Sequence, residues 1–114
     1  MAAASFFQWE TAPLTIIIEN DQGEPAQGVL EDVKNLVVSF RQGSVKEDWF
    51  LDDVSLDVEN SAINIHFDQE RSGKFDGDST IKVQVNILYN NNERDATIKG
   101  KIDVLDNFYD KELV

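Results

Sequence analysis

The chain predicts an all-β fold, an antiparallel, immunoglobulin-like β-sandwich of six to seven strands. Three observations carry that expectation. Five segments alternate apolar and polar side chains, and a period of two sends successive side chains to opposite faces of a strand. No stretch sustains a 3.6-residue period, so helix is expected over less than about one-tenth of the residues. Turn-forming residues separate the alternating segments at short intervals, as in a sandwich.

The strongest alternation is Ile81–Tyr89, where Ile81, Val83, Val85, Ile87 and Tyr89 are interleaved with Lys82, Gln84 and Asn86. The other strands are arranged around it. Residues 1–12 form an apolar but unpatterned arm with Phe6, Phe7 and Trp9, and residues 13–114 form one sandwich domain. Residues 14–19 are a β-branched run and a first strand, and the Asn, Asp, Gly and Pro of residues 20–28 mark a loop. The second strand puts Leu36, Val38 and Phe40 on one face and ends near Gln42-Gly43. Residues 44–50 mix acidic and aromatic side chains and are ambiguous. Val54, Leu56 and Val58 define a third strand, Asn60-Ser61 a turn, and Ile63, Ile65 and Phe67 a fourth strand in a hairpin with the third. Residues 68–78 break the alternation and predict a turn of 3₁₀ or α-helix followed by an Asp76-Gly77 turn. After the fifth strand, Asn90–Asn92 is a turn, because Asn tolerates positive φ. The sixth strand runs from about Asp95 to Val104 with Ala96, Ile98, Gly100, Ile102 and Val104 on one face, and Gly100 suggests a bulge or a close neighbour. Phe108, Tyr109 and Leu113 are expected to pack the tail back onto the body. The predicted inner face comprises Leu36, Val38, Phe40, Val54, Leu56, Ile63, Ile65, Phe67, Ile81, Val83, Val85, Ile87, Ile98, Ile102 and Val104.

Composition narrows the function classes. The chain has 114 residues, enough for one domain with its own core, and no cysteine, which excludes disulfides and thiolate metal sites. Ten basic against 22 acidic residues give a net charge of −12, which opposes binding to phosphate backbones or anionic lipid. Neither nucleic acid nor membrane is therefore an expected partner. No apolar run approaches ~20 residues, and the N-terminus lacks the charged and apolar regions of a secretory signal.

Catalytic equipment is sparse. His66 is the only histidine and is expected on the outward face of its strand, without a nucleophile or orienting carboxylate to form a triad. One His without Cys cannot supply the four ligands of a tight zinc site. Asp76-Gly77-Asp78 resembles a fragment of a Ca²⁺ loop, but position 5 is Thr80 and position 12 is the core residue Ile87, so the motif fails. Residues 47–59 hold six carboxylates, including adjacent Asp52 and Asp53, yet neighbours in a strand or loop point apart and stay solvated. These acids are expected to be offset by Lys82, Arg94, Lys99 and Lys101 on a mixed outer surface. No cofactor, no metal and no catalytic residue are expected. Phe6, Phe7, Trp9, Trp49 and Phe50 are the candidate interaction residues, since large aromatics anchor interfaces or stack on sugars. The unpatterned arm is expected to dock onto a neighbouring subunit, with folding back onto its own sandwich beside the first strand as the alternative.

One resemblance adds to this reading. Phe40 to Gln42 at a strand end, Asp68 to Glu70 in a turn, Phe75 to Gly77, the Val83 to Val85 segment and the closing Ile98 to Val104 strand occur in an order that resembles small proteins encoded by phages and prophages of Gram-positive bacteria. The pattern is also similar to the N-terminal sandwich of phage baseplate upper proteins. It covers residues from about 14 to 110, and its motifs are structural rather than catalytic. The resemblance implies a non-enzymatic virion component of the tail, neck or baseplate region, with itself or other virion proteins as partners. It would occupy the host cytoplasm during assembly and the virion afterwards. The long 20–32 loop and the aromatic arm depart from the pattern. The alternative from the residues themselves is an immunoglobulin-like binding module for carbohydrate or a host-surface ligand.

Overall fold

The computed structural model describes residues 4–11, 13–96 and 100–114. Two sheets face each other across one core. The larger contains six strands: β1 (Ala4–Phe7), β3 (Val33–Gln42), β4 (Val45–Phe50), β7 (Ser79–Tyr89), β8 (Arg94–Ala96) and β9 (Gly100–Leu105). The smaller contains β2 (Pro13–Ile17), β5 (Ser55–Asp57) and β6 (Ala62–His66) in the order β2-β6-β5. A four-residue helix α1 (Gln69–Ser72) and a 3₁₀ turn over Leu51–Asp53 are the described helical elements, so the all-β expectation holds.

The larger sheet runs β1-β9-β7-β3-β4, with β8 also on β7. β7, the most strongly alternating segment, is thus its central strand. Ile81, Val83, Val85 and Ile87 are buried, and they meet Phe40, Val38 and Leu36 of β3 through a register that pairs Phe40 with Val83 and Val38 with Val85. From the smaller sheet, Leu14, Ile16, Ile63 and Ile65 close the core. Val54 and Leu56 are only half-buried at its margin. Val58 falls beyond β5 and is exposed, which shortens the predicted third strand. Ile98 lies outside the described residues.

Three differences from the sequence reading have physical causes. Residues 45–50 form β4, an edge strand that carries Val45, Glu47 and Trp49 toward the inside. The carboxylate of Glu47 in that row is what hides the alternation, and an inward charge is a recurring feature of edge strands. The expected sixth strand is described on either side of residues 97–99, as β8 and β9, both antiparallel to β7.

The N-terminal arm, second, belongs to its own domain. β1 pairs in parallel with β9, placing Phe6 opposite Val104 and Phe7 opposite Leu105. Phe6 is 2% exposed and packs on Phe67 and Phe75. Docking onto a neighbouring subunit is therefore corrected for Phe6, because the open edge of β9 receives the arm and alternation over four residues turns one of the two adjacent phenylalanines inward. Third, Phe108, Tyr109 and Leu113 do not pack back but stand exposed. What holds the tail is polar: Leu113 N–H donates to Gln69 Oε1 (2.7 Å) and Gln69 Nε2 to the Leu113 carbonyl (3.0 Å).

The predicted turns form as expected. Asn92 has φ 68°, with its N–H bonded to the Tyr89 carbonyl, and Ser61 has φ 52°. Gly23 and Gly28 supply positive φ in the 20–28 loop. That loop also delivers Leu30 to the core, a residue with no periodic neighbours to announce it.

Candidate functional site

The segment between β6 and β7 shows how the arm is locked. Asp68 caps α1 by accepting from the Arg71 N–H (2.8 Å), which satisfies one of the donors a helix start leaves open. The helix ends at Gly73, which needs no positive φ but must be glycine for space, since any Cβ there would overlap the Trp9 ring. Trp9 itself has φ 70°, a conformation a bulky residue adopts at a cost of ~1–3 kcal/mol when its surroundings over-determine it. Those surroundings are the notch at Gly73 and two polar ties on the preceding residue. Gln8 Nε2 donates to the Phe75 carbonyl (2.8 Å), and Gln8 N–H to the Leu105 carbonyl (2.9 Å). A few residues on, a Cβ at Gly77 would meet the Asp106 backbone at 2.7 Å. Gln42 holds the same segment through both backbone groups of Asp76, at 2.7 and 3.1 Å. Gln42, Asp68 and Gln69 thus act as backbone clamps and cap, Phe75 lies in the core, and Gly77 stands at a close crossing.

A charged cluster secures β4 to this helix. Glu47 receives Arg71 Nε (3.3 Å) and Lys74 Nζ (3.1 Å), while the Arg71 guanidinium lies 4.1 Å above the Trp49 ring. Trp49 is buried, edge-on to Phe67, and so is no surface anchor. On the outer face, Arg41 bonds Asp48 (2.9 Å), and that hydrogen bond holds the Asp48 carboxyl below its ordinary value. These are not the pairs the sequence suggested. Among the described residues Arg94 bonds the neutral Asn86 rather than an acid, and the side chains of Lys99 and Lys101 lie outside the description.

Of the five aromatic candidates, Phe6 and Trp49 are core, Trp9 is half-buried against Gly73, and Phe7 and Phe50 are exposed, at 47% and 51%. The two exposed rings are not brought together. Phe7 sits beside Leu105 (37% exposed) on β1 and β9, whereas Phe50 ends β4 at the diagonally opposite corner of the same outer face.

Around Phe50 the registers assemble two adjacent rows. One runs Phe50, Val37, Asn86, Ala96 across β4, β3, β7 and β8, and the other Asn35, Leu88, Arg94 across β3, β7 and β8. Directly paired residues of antiparallel strands share a face, and the buried Leu36, Val38 and Ile87 between them fix that face as the outer one. Apart from Ala96, the residues of these rows line an open depression of about 350 Å³. Arg94 Nη2 donates to Asn86 Oδ1 (3.1 Å), and Asn35 Oδ1 accepts from the Leu36 N–H (2.9 Å). Asp95, opposite the buried Ile87, faces the other side. There burial and, second, the Asp95 charge push the Tyr89 phenol above its ordinary value. Phe50 is one of the interaction candidates the sequence offered. Val37, Leu88, Asn35, Asn86 and Arg94 were not, because only strand register makes neighbours of them.

His66 is exposed at the end of β6, opposite Pro13. Asp53 accepts from the Phe50 N–H (2.9 Å) in the 3₁₀ turn, and Asp78 has φ 54° in the turn that follows Gly77. No three described His, Asp or Glu side chains gather as a metal-binding group, and no described helix is long and apolar enough to cross a membrane. No protein-family model matches the chain, and no curated protein matches it either.

Proposed function

We propose that this chain is a non-enzymatic structural component of a phage or prophage virion, in its tail, neck or baseplate region, that assembles through contacts between subunits. The observation that carries this reading is the outward pair Phe7–Leu105 on the edge strand β1 and its neighbour β9. An edge strand presents unpaired backbone groups to other chains. Ala4–Phe7 carries none of the charges or prolines that blunt such edges. Paired apolar side chains beside it add area that a partner would remove from water. The ordered motifs from Phe40 to Val104 support the virion assignment by resemblance. The host cytoplasm during assembly and then the particle are the addresses that follow from it.

Mass measurement of the purified chain across micromolar concentrations tests the reading. An oligomer that Phe7→Ser with Leu105→Ser reduces to a folded monomer is the expected result. A full-length chain that stays monomeric throughout, with genes for portal, tape-measure or tail-fibre proteins missing from its neighbourhood, would overturn it.

The depression at the opposite corner favours a second reading, an immunoglobulin-like binding module for carbohydrate or a host-surface ligand. Its apolar floor and converging polar groups have the composition of a small-molecule site. Saturable binding to a glycan by the monomer distinguishes this module from an assembly part.

A further inference from the structure

We propose that the depression beside Phe50 takes a saccharide that carries a carboxylate group, with Arg94 holding the carboxylate and the Phe50 ring lying against the apolar face of the sugar. The proposal rests on the second reading above and names its ligand class.

The polar groups in the depression carry the argument. Arg94 can only donate. Asn86 accepts from Arg94 and Asn35 accepts from the Leu36 N–H, while the NH₂ group of each stays available to a ligand. With one guanidinium and two carboxamide NH₂ groups, donors outnumber the acceptor lone pairs left in the depression, which selects a ligand rich in acceptors. Charge points the same way. Among the described residues Arg41 is paired with Asp48 and Arg71 with Glu47, while the guanidinium of Arg94 meets only a neutral carboxamide. In a chain of net charge −12 an anion is not drawn in by the overall field, so it must be recognised locally. A guanidinium does this by bonding a carboxylate through two parallel N–H donors.

The apolar groups complete the class. Phe50, Val37 and Leu88 form a floor under an opening of about 350 Å³, at the small end of ligand-sized cavities. Phe50 is half-exposed and free to cover one face of a ring. An acidic sugar combines such an apolar face with hydroxyl and carboxylate oxygens around its rim.

The test is a titration of the ¹⁵N-labelled full chain, read by NMR, with trigalacturonate, a neutral trisaccharide of the same length, and triglutamate as the peptide comparator. Trigalacturonate is expected to shift the side-chain NH₂ signals of Asn35 and Asn86 and the amide of Phe50 saturably. Arg94→Gln should weaken that binding about tenfold, the loss of one charge-assisted contact, while leaving the melting temperature unchanged. Phe50→Ala should weaken it as well. Equal affinity in Arg94→Gln overturns the proposal. Equal affinity for the neutral trisaccharide overturns the carboxylate assignment and leaves the carbohydrate reading standing. Triglutamate binding as tightly as trigalacturonate overturns the saccharide class, and silence with both sugars overturns the proposal together with the reading beneath it.

Discussion

At one end of the chain Phe6 is buried against Phe67 and Phe75 and Trp9 lies on Gly73, whereas at the other Phe108, Tyr109 and Leu113 face water. Both ends are short, aromatic and without alternation long enough to read, and the sequence suggested the opposite allocation. The difference lies in what each end meets. The arm meets the open edge of β9, and pairing there sets a register that turns Phe6 inward as the opposite number of Val104. The tail leaves β9 by crossing Gly77 and continues with no strand beside it. Its ties are polar, from Asn107 Nδ2 to the Gln8 carbonyl (3.1 Å) and from Leu113 to Gln69, and these orient backbone without burying side chains. Aromatic content says that a segment has area to bury, but a ladder decides which side chains do so.

Truncating Phe6 is the severest way to probe that contrast. Phe6→Ala empties a fully enclosed ring site and should cost ~3–5 kcal/mol, read as a lower urea midpoint at unchanged oligomeric mass. A cost under about 1 kcal/mol would mean that the arm is not part of this core. Gly73→Ala comes next. The new methyl must displace the Trp9 ring, for an expected cost of ~1–3 kcal/mol. In a Trp9→Ala background the same substitution should cost far less, so the double-mutant cycle measures the notch directly. Equal costs in the two backgrounds would place Trp9 elsewhere.

A smaller effect is expected at Asp48, on the sheet edge farthest from the arm. Its carboxyl titrates below its ordinary value when folded, chiefly because Arg41 hydrogen-bonds the ionised form. The stabilisation is therefore present above the ordinary carboxylate value and is lost as pH falls through the folded one, in the window below about pH 4. Both partners are more than a third exposed, so screening keeps the contribution small. Asp48→Asn should flatten part of the acid limb of the melting temperature and leave the neutral plateau almost unmoved. An unchanged acid limb would assign the effect to other carboxylates. Least of all should change in Phe108→Ser, within about 0.5 kcal/mol, because the ring has no contacts to lose. A marked fall in the melting temperature there would show that the tail is covered in solution.

The predicted elements divide along the same line. Segments with three to five alternating apolar positions, such as Leu36–Phe40 and Ile81–Tyr89, were legible as strands with the correct inner face, because period and burial report the same geometry. So were the Asn90–Asn92 turn and the helical turn after Asp68, where local side-chain chemistry decides the backbone. The ambiguous 44–50 segment became β4 through an inward Glu47 whose charge is answered by Arg71 of α1 and Lys74 just after it, partners some 25 residues away that no local pattern reveals. Of the site, the sequence offered the aromatics but not which two would remain outside.

What the sequence by itself determined is the all-β class, the central strand and most of the core, since each follows from side chains within a few residues of one another. Tertiary structure alone decided that Phe6 goes in and Phe7 stays out, that Trp9 needs a glycine at position 73, and that Phe50, Asn35, Asn86 and Arg94 surround one depression. Those outcomes depend on which strands pair and in what register. Register is set by cross-strand packing between segments far apart in the chain, and a period of two looks the same in every one of them.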